Sequence, residues 1–139
     1  MSTENADTIV LRGRDIFPLL QALRSLDGYH DVVDGKALVR PFAFSGVTRV
    51  RLARWLQAVM AQHKVLSDTH DALVRQYTAD PSDSSVPEDR IPAFTAEWEK
   101  ALDENVSFSG TGKISVDDLS RDGNPIPITV LNAMLPILE

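Results

Sequence analysis

Residues 45–77 read SGVTRVRLARWLQAVMAQHKVLSDTHDALVRQY, and the reading of this stretch decides the fold. Leu52, Leu56, Val59, His63, Leu66, His70, Leu73 and Tyr77 follow one another at alternating steps of four and three. That spacing puts all eight on one stripe of a helix. Val50, Ala53, Met60 and Val74 add a second register, so the apolar face is broader than a coiled-coil seam and predicts packing in a small bundle. Ser45 stands where a hydroxyl satisfies a free first-turn N–H. A helix of this length, roughly 50 Å at 1.5 Å per residue, cannot bury its stripe against itself. It needs the rest of the chain, or a second copy.

Upstream, Ile16, Leu19, Leu20, Leu23 and Leu26 predict a helix from about Asp15 to Leu26, with Pro18 in its first turn and Gly28 just past its end. Ile9, Val10 and Leu11 suit a short strand or lead-in. Asp34-Gly35, between Val32-Val33 and Leu38-Val39, has the composition of a tight hairpin turn, and Pro41 keeps any strand there at an edge. Downstream, Asp80 to Ser85 is a polar loop. Pro87, Glu88 and Asp89 open a helix with Ile91, Phe94, Trp98 and Leu102 on its buried face and Glu97, Glu99, Asp103 and Glu104 in water. Pro92 divides a short first turn from its body. Val106 to Phe108 alternates as a strand does, with Ile114 to Val116 as its return partner across the Ser109-Gly110-Thr111-Gly112 turn. After a break at Asp122 to Pro125, a last apolar helix is expected from about Thr129 to Leu138. The expectation is a mainly α domain spanning residues 1–139: three or four helices, the long one central, and one or two short β-hairpins. Residues 1–8 are expected to be flexible and 79–87 an exposed polar loop.

The chain has no cysteine, which excludes disulfides and thiolate metal sites. The first eight residues lack the basic and apolar blocks of a signal peptide, and no apolar run approaches the roughly 18–20 residues of a spanning helix. A cytoplasmic protein without a membrane partner is expected. The net charge of −6 is unevenly placed. Residues 1–60 carry eight basic and six acidic side chains, residues 61–139 six and fourteen. No acidic residue lies between Asp34 and Asp68, a stretch holding Lys36, Arg40, Arg49, Arg51, Arg54 and Lys64. Such a polarised chain has an electrostatic contact surface, met either by another molecule or by its own acidic half.

Three groups of residues invite a functional reading. Ser45, Thr48, Arg49, Arg51 and Arg54 crowd the start of the long helix, where positive side chains oppose the helix dipole unless an anion docks there. With Trp55 as a stacking platform, they form a candidate site for phosphate or a nucleotide. The competing reading pairs these arginines with the acidic third helix and buries Trp55 in the core. Too few glycines are present for a phosphate-binding loop, and nucleic acid is disfavoured by the overall charge. His63 and His70 lie one heptad apart, about 10 Å along a helix, too far for one metal ion. They read as core or interface histidines. In a self-paired helix each would face its symmetry mate, and protonation would weaken the assembly below about pH 6. The carboxylates Glu97, Asp103 and Glu104, or Asp117 with Asp118, sit on a solvated face or in a loop and do not suggest catalysis. No cofactor or metal site is expected.

The order of parts resembles small helical accessory proteins of tailed bacteriophages and prophages: a short first helix (Leu19 to Leu26), a small residue–Arg–x–Arg stretch (Thr48-Arg49-Val50-Arg51), the long helix to Tyr77, and an acidic helix (Glu97 to Glu104). The resemblance is one of architecture. It implies a phage accessory protein in the host cytoplasm and carries no catalytic residues. The resulting expectation is a non-enzymatic homo-oligomer, assembled through Leu52, Leu56, Val59, His63, Leu66, His70 and Leu73 of the long helix and Leu131, Met134 and Leu135 of the last one. The alternative is a protein that sequesters an anionic small molecule at the arginine-rich start.

Overall fold

A computed structural model describes residues 8–78, 85–110 and 112–139. Residues 1–7, and 79–84 of the expected polar loop, lie outside the described residues; Thr8 already belongs to a strand. The fold is mainly α, with one long helix and two small two-stranded antiparallel sheets.

Strand β1 (Thr8–Arg12) runs directly into helix α1 (Gly13–Ser25). The helix begins two residues before the expected Asp15 because Asp15 turns back to accept the Arg12 N–H at 3.2 Å, while the Gly13 N–H reaches the Glu104 carbonyl at 3.0 Å. A Cβ on Gly13 would stand 3.0 Å from the Ala101 carbonyl oxygen, so any other residue would force the α1–α3 joint to shift by a few tenths of an ångström. Pro18 therefore falls inside the helix, in its second turn, where it removes the bond to the Arg14 carbonyl.

β2 (Tyr29–Val33) and β3 (Lys36–Arg40) form the expected hairpin, with Tyr29 opposite Arg40 and Val33 opposite Lys36. Asp34 and Gly35 both take positive φ (53° and 76°), the requirement of the two-residue turn. Helix α2 (Gly46–Tyr77) follows, its first turn capped by the Ser45 hydroxyl, which accepts the Thr48 N–H at 3.2 Å. A single 3-10 turn (Glu88–Arg90) leads into α3 (Ile91–Asp103).

The expected return of Ile114–Val116 onto Val106–Phe108 does not occur. β4 (Asn105–Ser109) pairs instead with β1, Ile9 opposite Phe108 and Leu11 opposite Val106. The pairing buries Ile9, Leu11 and Phe108 together, which a local hairpin could not do. Ile114 is taken by the chain terminus: its N–H donates to Ile137 at 2.8 Å, and its carbonyl accepts from Glu139 at 3.0 Å. Between them lie α4 (Val116–Ser120) and α5 (Ile128–Met134). The last helix is shorter than expected, passing at Leu135–Ile137 into a 3-10 turn, because Pro136 has no N–H to continue an α-helix.

The buried side chains form one cluster built on α1, with Trp55, Val59 and Leu66 of α2, Phe42, Ile114, Leu119, Met134 and Ile137. α1 packs against α2, α3 and α5. The hub is thus the short α1, not the long helix, which lies at the side with half its circumference in solvent.

Candidate functional site

The arginine-rich start of α2 does not assemble the expected anion site. Ser45 is engaged in capping, and Thr48 is buried beneath it. Arg49 folds back onto backbone, donating through Nε to Phe44 at 3.2 Å and through Nη2 to Phe42 at 3.1 Å. Trp55 is 0% exposed; its indole N–H donates to the Gly112 carbonyl at 2.7 Å, and its ring packs on Phe108. It is a core residue, closed to a stacking base. Arg51 is half-buried and Arg54 exposed, and neither has an ion pair among the described residues. The acidic third helix draws a different partner. Arg14 of α1 bonds to Glu99 at 2.9 Å and to Asp103 of α3. These hydrogen bonds, the one to Glu99 foremost, raise the guanidinium pKa above its ordinary value. Nothing in the spacing of the sequence marked Arg14 for this role, because the contact spans two helices.

The expected interface stripe points inward. Val59 and Leu66 are buried, Leu52 and Leu56 pack against the core, and Met134 of α5 is fully enclosed. Val59, Leu66 and Met134 are thus enclosed within the single chain, while Leu52 and Leu56 remain half-buried. His63 and His70 likewise face the protein's own α1 and α3 rather than a symmetry mate. The His63 ring meets Phe17 edge-on at 5.3 Å, and His70 meets Trp98 at 5.0 Å and Phe94 at 5.6 Å. With Arg14, Ser67 and Leu102 they line an open groove of about 470 Å³ between α1, α2 and α3. This ring ladder seats α3 and engages both histidines, half-buried, within the single chain.

What the protein turns outward is different. Along α2, Val47 (64% exposed), Val50, Met60 and Val65 (57%) lie in solvent, although Val50 and Met60 had been expected to widen the buried face. On α5 and the 3-10 turn that continues it, Ile128 (80%) and Leu135 are open, with Leu131 half-buried between them at steps of three and four. Leu73 is half-buried near the far end of α2. Of the expected interface residues, Leu135 is exposed, Leu52, Leu56, His63, His70, Leu73 and Leu131 are half-buried, and Val59, Leu66 and Met134 are buried. Val47, Val50, Val65 and Ile128, all exposed, are apolar side chains that lie off the main stripe.

No described helix is long and apolar enough to cross a membrane. No family model, curated protein or solved structure matches this chain.

Proposed function

We propose that this chain is a non-enzymatic interaction protein that self-associates through the outer face of α2 and the open face of α5, in the setting of a phage or prophage accessory protein in the host cytoplasm. The observation that supports the reading is that α2, the longest element, is packed on one side only. Its outer side carries valines in solvent along much of its length. Exposed apolar side chains taken singly are ordinary; several in line on one helix mark a contact surface. α5 adds Ile128 and Leu135. Native mass spectrometry over a concentration series tests the reading. Dimers or larger species that grow with concentration support it, and a chain that stays monomeric at hundreds of micromolar removes it.

The alternative, an anionic ligand at the start of α2, would rest on Arg51 and Arg54, since Ser45, Arg49 and Trp55 are engaged within the fold. A nucleotide that raises the melting temperature by several degrees, and no longer does so in R51A/R54A, would replace the first reading.

A further inference from the structure

We propose that the outer face of α2 pairs with the same face of a second copy, antiparallel, about a two-fold axis at Ala61. This inference rests on the self-association reading above and specifies its geometry. Val50, Arg54, Gln57, Ala61, Val65, Asp68 and Ala72 follow at steps of three and four and are all exposed. They form a straight line on the side of the helix opposite Trp55, Val59 and Leu66. An axis through Ala61 sets Val50 opposite Ala72, Gln57 opposite Val65, and Ala61 opposite itself. It also sets Arg54 of each copy opposite Asp68 of the other.

Charge selects this arrangement from its competitors. A parallel pair in register would place Arg54 on Arg54 and Asp68 on Asp68. Sliding the antiparallel axis one turn, to Gln57 or to Val65, leaves Arg54 opposite Met60 or Gln76 and Asp68 opposite Gly46 or Gln62. Only the axis at Ala61 matches the two opposite charges on the line. Arg54 has no ion pair among the described residues. Asp68 engages Lys64 through Oδ2 at 3.0 Å, leaving Oδ1 to accept from a partner. The antiparallel sense aligns opposed helix dipoles, and alanine at the axis lets the two helices approach to within the usual 8–10 Å. The line is only partly apolar and about 33 Å long at 1.5 Å per residue. The contact is smaller than a standard stable interface of ~1,600 Å², so the expected dimer is a weak one in the micromolar range.

The absence of native cysteine makes the test direct. With a Cα radius of about 2.3 Å, axes about 9–10 Å apart put facing Cα atoms at the short end of the roughly 4.4–6.8 Å span of a disulfide. Ala61→Cys should form a covalent dimer on mild oxidation far faster than Lys100→Cys, an exposed control on α3. An equimolar mixture of Gln57→Cys and Val65→Cys should cross-link to each other faster than either does to itself. Arg54→Asp should weaken the dimer roughly tenfold, as two ion pairs become repulsions. Adding Asp68→Arg to the same chain should restore it. Self-association by native mass spectrometry, together with A61C no faster than K100C and no rescue in the double charge variant, would overturn this geometry while leaving self-association standing. A wild-type chain that is monomeric throughout would overturn both.

Discussion

Helices α1 and α3 are the same length, 13 residues each, and they are held in opposite ways. α1 buries Ile16, Leu19, Leu20, Ala22 and Leu23 and touches three other helices. α3 has no fully buried residue. It leans on α2 through ring edges, Trp98 and Phe94 against His70 and Phe94 against Tyr77, and it is tied to α1 by surface carboxylates on Arg14. Equal helices thus carry unequal shares of stability: apolar area removed from water dominates, and exposed ion pairs add little. The part expected to unfold last is the α1 hub, with β1 and the segment around Ile114 and Ile137 packed with it. α3, with the far end of α2 on which it leans, is expected to open first.

The sharpest way to break this comparison is to empty the hub. Ile16→Ala should cost about 2–5 kcal/mol, and Trp55→Ala about 3–5 kcal/mol with the Gly112 carbonyl left unpaired. Chemical denaturation measures both, and a loss under 1 kcal/mol at either site would show that the core lies elsewhere. Next in size is the joint between the two helices. Gly13→Ala drives a methyl to within 3.0 Å of the Ala101 carbonyl oxygen and should cost about 1–3 kcal/mol. An unchanged midpoint there would mean that α1 and α3 separate freely. Trp98→Ala should cost less than Ile16→Ala, about 1–2 kcal/mol, because the indole is half-buried and its ring contacts are edge-on. Equal losses would make α3 part of the hub. The smallest effect is expected from Arg14→Gln. Its ties to Glu99 and Asp103 are exposed, so global stability should barely move while the amides of α3 exchange faster than those of α1. Uniform exchange in the variant would contradict a separately opening α3.

Much of the local structure was legible in the residues. Ser45 as a cap, Asp34-Gly35 as the turn, the inward stripe of α2 and the acid-rich third helix follow from short-range rules, because a hydroxyl, a glycine or a 3.6-residue period acts within one turn of chain. The functional surfaces were less legible for a matching reason. An apolar stripe announces that it will be covered, but not by what. Leu52, Val59, Leu66 and Met134 read equally well as a subunit contact and as core, and only the arrival of α1 and the C-terminal segment assigned them to the core. The same holds for Trp55, whose place beside three arginines suggested a ligand platform until Gly112 was found accepting its N–H.

Legible from the residues alone were the cap and span of the long helix, the Asp34-Gly35 turn, the mainly α class, the absence of cysteine chemistry and the polarity of charge along the chain. Only the tertiary structure decided that β4 pairs with β1 across most of the chain, that Ile114 pairs with the terminus, that Arg14 answers the acidic helix, and which side of α2 remains in water. The physical reason is one of range. Backbone hydrogen bonds and side-chain periods are set by neighbours within about four residues. Which apolar face meets which is a competition among distant segments for the same buried area, and that competition is settled only when the whole chain closes around its core.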